Sequence, residues 1–332
     1  MIKTIRQALD QKKYSAEELV KEYFKKETFL ESYKESAIEQ AKIADQAIKK
    51  GSASTLTGIP YAIKDDVFVK GKKCSNNLKI LENYIAPFTS PIIEKLNHEN
   101  AILLGKVDHT SNLFVIGGGF SKTISSFKST ANTFLKKGFL GLTSSLDQIG
   151  CFSNNVNDLK IVFSTFEKED HTSFKIETFE NMNLPHLKYA NSCYDIIESV
   201  ETLSSLSRFD GIRYGKREDG DTLDDIYTNT REKGFNDSLK EKIILGSYFL
   251  SAKNYNTYFK KALKTRSLIK KDFENAFKKA DVFMGSFSSG ILKASVNLTG
   301  YPALYIQEKD LLIIAKHFHE NKLFNTINNL NV

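Results

Sequence analysis

The chain has 332 residues, enough for one large domain or two domains of moderate size. Its 41% hydrophobic and 26% charged residues are typical of an ordinary globular protein and exclude an intrinsically disordered chain. The net charge of +7 is modest, and the basic residues are spread over helical segments. The composition therefore allows mild attraction to nucleic acid or to an acidic partner without indicating either.

The sequence contains no run of eighteen apolar residues, and its first twenty residues, MIKTIRQALDQKKYSAEELV, carry charges throughout. We therefore expect neither a membrane span nor a signal peptide, and we predict a cytoplasmic protein. The cysteines Cys74, Cys151 and Cys193 are widely spaced and form no CxxC pair, which argues against a disulfide framework or a zinc knuckle.

The first third of the chain alternates between helical and extended patterns. Ser15 and Glu18 have the spacing of a capping box and predict a helix over 15–26, and a second helix is predicted over 34–50. The run YAI at 61–63 predicts a short strand. The segment SPIIEKLNHE then predicts a helix, and AILLGKVD predicts a strand that ends in a turn. This alternation favours an α/β sheet.

The second half contains two strong helix candidates, 238–252 and 255–280. On the latter, a period near 3.6 residues places a set of apolar side chains on one side, where we expect burial: Phe259, Leu263, Ile269, Phe273 and Phe277. The tail YPALYIQEKDLLIIAKHF predicts a β-hairpin that closes the sheet. We find no repeat and no low-complexity linker. We therefore expect one compact domain, with residues 1–50 as an N-terminal helical segment and 51–332 as the α/β part.

Metal-binding patterns are weak in this sequence. The segment REDGDTLDD at 217–225 suggests a calcium loop, but no glutamate stands at the twelfth position, so helix capping and a solvated acidic face are the favoured interpretation. The six histidines are dispersed, and only His317 and His319 lie within two residues of each other. No carboxylate ligand accompanies that pair, so we predict no metal site.

Lys64 lies between a short apolar run and two aspartates, in TGIPYAIKDDVFVK. Lysine is rarely buried without a partner, so this position needs an explanation. One interpretation is a structural ion pair with Asp65 or Asp66. The other is a general base, because burial lowers the pKa of a lysine and lets it spend time neutral.

Several blocks of the sequence resemble the amidase-signature family, and within it the A subunits of glutamyl-tRNA(Gln) amidotransferases. The matching blocks occur in family order and cover well over half of the chain: GIPYAIKDD (58–66), ENAILLGKVD (99–108), SSLDQIG (144–150), RFDGIRYGKR (208–217), the long segment 230–282 and VNLTGYPAL (296–304). The resemblance implies a mixed central sheet flanked by helices, in a shortened form.

The resemblance also implies a reaction. In the family a serine attacks the side-chain amide of glutamine, and a second serine, preceded by a cis peptide bond, relays the proton to a buried lysine. Lys64 falls on that lysine and is our predicted general base. Arg231, in TREKGF, matches an arginine that binds the α-carboxylate of glutamine, which suits a guanidinium fork. The alternative for Arg231 is a solvent-exposed arginine at a helix end.

The serine-bearing segments of the family are not recognisable in this sequence. Neither a GGSSGGSAAA-like signature nor a DTGGS segment occurs, and several tens of residues are missing between LLGKVD and SSLDQIG. In their place stands FVIGGGFSKTISS, where Ser121 is the best remaining candidate for the nucleophile, with Ser125 and Ser126 behind it. The alternative is that the glycines and serines form a shortened surface turn.

A second departure concerns the contact with the substrate's amino group. The family's acidic segment before VNLAG is shortened here to MGSFSSGILKAS, which contains no acid. The sequence therefore offers no carboxylate at the position where the family places one.

Three hypotheses about function follow. In the first, the chain is a shortened glutaminase subunit that uses Lys64 with a relocated serine such as Ser121. In the second, which we favour slightly over the first, it is an inactive scaffold that docks the B and C subunits of the amidotransferase. In the third, it is a stand-alone amidase. By resemblance, this chain needs no cofactor, and ATP and Mg belong to the B subunit. The complex would meet tRNA indirectly through its partners and take nitrogen from glutamine or ammonia.

Overall fold

The computed structural model describes residues 1–108, 112–119, 121, 123–131, 136–166, 173–286 and 290–329. Helices form where the sequence has an apolar stripe and an N-cap residue. They are α1 (Ile2–Asp10), α2 (Ala16–Lys26), α3 (Lys34–Lys49), α4 (Pro91–His98), α5 (Val156–Ser164), α6 (Ala190–Leu206), α7 (Leu223–Gly234), α8 (Asp237–Leu250), α9 (Phe259–Ala276), α10 (Gly290–Thr299) and α11 (Glu320–Asn329).

The strands form one mixed sheet in the order β1-β3-β2-β4-β6-β5-β9-β10-β8-β7. Their bounds are β1 (Glu31–Ser32), β2 (Pro60–Ile63), β3 (Ile102–Lys106), β4 (Phe114–Gly118), β5 (Ser125–Lys128), β6 (Ile149–Ser153), β7 (Ile176–Thr178), β8 (Val282–Ser286), β9 (Ala303–Ile306) and β10 (Leu311–Ala315). The fold is therefore the expected mixed α/β sheet flanked by helices.

The strand directions bring several strand ends to one edge of the sheet. Strand β2 is parallel to β4, and β6 is antiparallel to both β4 and β5. Strand β9 is antiparallel to β5 and to β10. Strands β2, β4, β5 and β10 consequently end at the same side, which we call the carboxyl-terminal edge.

The two faces of the sheet are covered by different helices. On one face Phe127 of β5 packs against Phe163 of α5 and Phe324 of α11, with ring centroids 5.0 Å apart in both pairs. On the other face Phe277 of α9 packs against Phe283 of β8, at 5.4 Å. Apolar clusters cover both faces of the sheet. Strands buried on both faces consist of nearly unbroken runs of hydrophobic residues, as these strands do.

The N-terminal helices pack onto the rest of the chain through polar contacts as well as apolar ones. The Met1 amino group lies 3.3 Å from the carboxylate of Asp158 on α5, which also accepts the Ile2 N–H. The buried Arg6 donates to the carbonyl of Thr57. Of the helices in the described ranges, none combines the length and the apolar composition that crossing a bilayer requires.

Most of the predicted elements are confirmed, and α2 most closely. Ser15 caps this helix: its side chain accepts the Glu18 N–H, while the Glu18 carboxylate accepts the Ser15 N–H. The predicted hairpin is also present as β9 and β10. It does not close the sheet at an edge, however, since β10 pairs with β8 and β9 pairs with β5.

The expected burial of Leu263 is wrong, because this side chain is 38% exposed. The buried stripe of α9 runs through Ala262, Ile269, Phe273 and Ala276, at spacings of three, four and seven residues. Ala262 occupies the inward position near the start of the helix, where its carbonyl accepts from the Cys193 thiol. Leu263 is one residue further along, about 100° around the helix, and therefore points away from the core.

Candidate functional site

Lys64 follows β2 directly, at the carboxyl-terminal edge. Strand β2 is fully buried, and the Lys64 N–H continues its pairing by donating to the Ile116 carbonyl at 2.9 Å. The side-chain amine donates to the Gly118 carbonyl at 2.7 Å, and the side chain is only 16% exposed. The amine thus lies at the end of a central strand and faces the glycine run.

Gly117 makes room for the Lys64 side chain. A Cβ atom on Gly117 would lie 2.5 Å from Lys64 Cδ, closer than real Cβ contacts come. Gly119 has φ +103°, in the region that favours glycine, and a Cβ there would lie 3.7 Å from the lysine amine. Because Gly117 and Gly118 belong to the buried strand β4, the interpretation of this run as a surface turn is wrong for these two glycines.

The two aspartates after Lys64 have different partners. Asp65 accepts from the buried Lys106 amine at 2.7 Å, so its charge is already paired. Asp66 is buried, accepts the Gly118 N–H at 3.0 Å, and lies 4.0 Å from the Lys64 amine. Burial raises the pKa of Asp66, while the nearby Lys64 charge opposes this rise. Lys64 therefore lies near the carboxylate of Asp66 and also donates a hydrogen bond to the Gly118 carbonyl.

Ser121 is buried and engaged with a neighbour in sequence. Its hydroxyl lies 2.9 Å from the Thr123 hydroxyl and also accepts the Thr123 N–H at 3.2 Å. Within the described ranges, no serine hydroxyl is hydrogen-bonded to the Lys64 amine. The structure therefore does not bring Lys64 and Ser121 together in a hydrogen bond.

Ser126 shares a face of the sheet with Lys64. It pairs directly with Phe152 on β6, and the Lys64 amine lies 5.6 Å from the centre of the Phe152 ring. The Ser126 hydroxyl is fully buried and has no hydrogen-bond partner in the described part of the chain. Ser125 points to the opposite face and accepts the Gln307 N–H. Alternation along β5 could have distinguished the two serines from sequence, given the correct register.

Arg231 lies in the last turn of α7. Its guanidinium donates to the Leu206 carbonyl at 3.3 Å and lies 5.2 Å from the centre of the Phe235 ring. Within the described ranges, Arg231 makes no hydrogen bond or ion pair with Lys64. The preceding acidic segment caps this helix, because the Thr222 side chain accepts the Asp225 N–H while Asp225 accepts the Thr222 N–H, as the capping interpretation predicts.

Lys128 is a further buried amine, and sequence reasoning missed it. It lies on β5 and pairs with Gly150 of the neighbouring strand β6, and Gly150 in turn pairs with Gly117 of β4. Its side chain is 2% exposed, and its amine donates to Asn297 at 2.5 Å. Burial lowers the pKa of Lys128 to about 7. A lysine closing a buried strand such as SSFK is the signal that could have identified it.

Comparison with known proteins assigns the chain to a family. A sequence model of the family described as Amidase matches residues 18–120 and 175–289. The A subunit of the glutamyl-tRNA(Gln) amidotransferase of Caldanaerobacter subterraneus subsp. tengcongensis is 30% identical, over 97% of this chain and 93% of the relative. That alignment has 460 positions whereas this chain has 332 residues, so many positions of the relative have no counterpart here.

Solved structures agree in fold. An amidase family protein from Bacillus anthracis str. Ames superposes with a TM-score of 0.70 at 16% identity, covering 98% of this chain and 89% of its own. The A subunit of the glutamyl-tRNA(Gln) amidotransferase from Thermotoga maritima superposes with a TM-score of 0.58 at 19% identity, covering 82% of each chain. The family match, the sequence relatives and the shared fold show that this chain belongs to the amidase family.

Proposed function

We propose that this chain is the A subunit of a tRNA-dependent amidotransferase whose own glutaminase chemistry is lost, so that it serves mainly as a scaffold. The observation that carries the proposal is the 2.7 Å hydrogen bond from the Lys64 amine to the Gly118 carbonyl. The amine has the position of a base, but the residue it contacts has no side chain and offers it no hydroxyl.

The comparisons support a shortened form of this subunit. The relatives are named as the A subunits of glutamyl-tRNA(Gln) amidotransferases, and the alignment requires gaps in this chain. The family model leaves residues 121–174 unmatched, directly after the glycine run. This unmatched segment begins at the position where the sequence predicts a deletion of the nucleophile.

Loss of the nucleophile would remove most of the reaction. Covalent amide hydrolysis needs a hydroxyl within hydrogen-bond reach of its base, and members of such a catalytic unit act together. Ser121, the best candidate from sequence, has its hydroxyl in contact with Thr123. Lys64 without a partner hydroxyl retains a positioned amine but no group to activate.

In the proposed complex, the partner subunits carry out the reactions at the tRNA. A B subunit binds ATP and Mg and activates the glutamyl group on tRNA(Gln), and a small C subunit holds the other two together. The present chain then supplies docking surface, while free ammonia replaces glutamine as the nitrogen source. No cofactor is proposed for this chain.

The test compares two nitrogen sources with the assembled complex of this chain and its B and C subunits. We expect amidation of glutamyl-tRNA(Gln) with ammonium, no release of ammonia from glutamine, and unchanged ammonium-dependent activity in Lys64→Ala. Glutamine-dependent amidation that Lys64→Ala abolishes would overturn the scaffold proposal. Failure of ammonium-dependent amidation by a correctly assembled complex would overturn the amidotransferase assignment itself.

A second candidate function is a working glutaminase that uses a relocated serine. The buried, unpartnered Ser126 hydroxyl on the Lys64 face of the sheet favours it. If glutamine hydrolysis is detected, Ser126→Ala and Ser121→Ala identify the nucleophile. Ser125→Ala is the matched control, because Ser125 belongs to the same strand and points to the opposite face.

Arg231 enters this second candidate as the group that binds the α-carboxylate of glutamine. Its contacts with Leu206 and Phe235 hold the guanidinium in place and suit a positioned fork. In a working glutaminase, Arg231→Gln should raise KM for glutamine and leave ammonium-dependent amidation unchanged. An unchanged KM would show that Arg231 does not bind glutamine and is only an arginine at the end of a helix.

A further inference from the structure

A cavity of about 420 Å³ opens at the carboxyl-terminal edge, between the ends of β5 and β10 and the side of α9. Six of its lining residues carry the argument: Thr130, Lys136, Ser145, Arg266, Lys270 and His317. None of these residues belongs to the Lys64 site. Crevices beyond the carboxyl ends of strands are where open α/β sheets commonly bind ligands.

The wall of the cavity is positively charged. Lys136, Arg266 and Lys270 line it, and no carboxylate is among its described lining residues. Two acids hydrogen-bond to the backbone of lining residues: Glu201 accepts the Ser145 N–H at 2.9 Å, and the buried Glu320 accepts the Thr130 N–H at 2.7 Å. The charge of Asp147 also acts on Lys136. Three cations facing an open cavity favour an anion inside it.

Arg266 is fixed in an orientation that leaves donors available. Its Nε donates to the Leu298 carbonyl at 2.6 Å, Nη1 donates to the Ser145 hydroxyl at 2.6 Å, and Nη2 donates to the Ser145 carbonyl at 2.9 Å. These bonds use three of the five N–H groups of a guanidinium. Arg266 is half-buried, and this partial desolvation lowers its pKa. A desolvated, preoriented cation binds an anion more strongly than a mobile one.

His317 contributes a buried nitrogen whose hydrogen-bonding capacity is unused. Its ring stacks on Tyr301, with centroids 4.0 Å apart, and its Nδ1 has no partner within the described ranges. Burial, and secondarily the charge of Lys270, lower the pKa of His317 to about 4. The neutral ring can therefore place a single N–H donor beside the cations.

We propose that this cavity binds a phosphate group. A tetrahedral, doubly charged oxyanion matches a guanidinium, two ammonium groups, hydroxyls and an imidazole better than a planar, singly charged carboxylate does. The proposal is independent of the function proposed for the Lys64 site. The phosphate could come from a free phosphate compound or from an RNA backbone, and the two sources give different experimental results.

The first experiment measures binding of inorganic phosphate to the purified chain at low ionic strength by isothermal titration calorimetry. Lys270→Glu reverses one charge at an exposed position, and we expect it to weaken binding at least about tenfold. Lys271→Glu, the neighbouring exposed residue of α9 outside the cavity lining, is the control and should change the affinity less than about twofold. Equal losses in both variants, or no binding to the unmodified chain, would overturn the proposal.

A second experiment needs no variant. Lysine acetylation read by mass spectrometry should show that phosphate protects Lys136 and Lys270 and leaves Lys271 reactive. A short single-stranded RNA distinguishes the two sources of phosphate. If RNA protects the same two lysines at a lower concentration than phosphate does, the site binds a nucleic-acid backbone. If only phosphate protects them, the site binds a small phosphate compound. Protection of all three lysines to the same degree, or of none, would contradict a defined site.

Discussion

The Lys64 amine donates a 2.7 Å hydrogen bond to the carbonyl oxygen of Gly118, across two parallel strands of the central sheet. This bond holds the lysine against backbone atoms, because residues 117–119 are all glycine and have no side chains. The geometry explains why a lysine is tolerated here: its charge lies 4.0 Å from Asp66 and its aliphatic part fills the space left by glycine.

Gly117→Ala should destabilise the protein by about 1–3 kcal/mol, because the added methyl would overlap the Lys64 side chain. The same change in a Lys64→Ala background should cost less, since the overlapping atoms are gone. Urea denaturation of the two single variants and the double variant measures this coupling. Strictly additive losses would show that Gly117 is required for another reason.

Phe273→Ala should lower the free energy of unfolding by about 3–5 kcal/mol, because the side chain is 0% exposed and packs against Phe277 and Tyr301. Leu263→Ala on the same helix is the control. This side chain is 38% exposed, and we expect a loss below about 1 kcal/mol. Similar losses for the two variants would contradict the observed orientation of α9.

Lys128 should make stability depend on pH. Burial lowers its pKa from 10.5 to about 7, so the unfolded chain holds more protons than the folded chain between these values. Stability therefore rises with pH across this window, by up to about 1.4 kcal/mol per pH unit from this group. Lys128→Met removes the contribution, and denaturation at several pH values should show a shallower slope in the variant. Equal pH dependence of stability in the unmodified chain and the variant would mean that the Lys128 amine stays charged in the folded chain.

Ser15→Ala should destabilise the protein by about 1 kcal/mol, since it removes the acceptor that caps α2. Ser52→Ala, at an exposed position after α3, should change stability by less than about 0.5 kcal/mol. Thermal unfolding of both variants provides the measurement. Equal shifts in Tm would show that the cap contributes nothing beyond an ordinary surface serine.

Local patterns in the sequence predict the elements well. The Ser15–Glu18 capping box locates the start of α2, and apolar runs locate β2 and β3, because these signals depend only on neighbouring residues. The position of Lys64 also follows from its local motif. The exposure of Leu263 does not, since Ala262 and Leu263 fit an apolar stripe equally well until α6 is packed against α9.

The candidate nucleophiles illustrate a different limit. Ser121 and Ser126 lie on either side of the start of β5, and which hydroxyl faces Lys64 depends on how that strand pairs with β6. Register is fixed by contacts between residues far apart in the chain, and a shift of one residue would exchange the faces of Ser125 and Ser126. Sequence spacing to the glycine run therefore cannot decide which serine hydroxyl faces Lys64.

The outermost strands of the described sheet, Glu31–Ser32 and Ile176–Thr178, have two and three residues. An edge strand exposes unpaired N–H and C=O groups that can recruit a strand from another molecule, and short edges limit this. The broad sheet is thus protected against edge-to-edge aggregation at the places where it is most vulnerable. Substitutions that lengthen either edge strand should promote concentration-dependent association even if the core is unchanged.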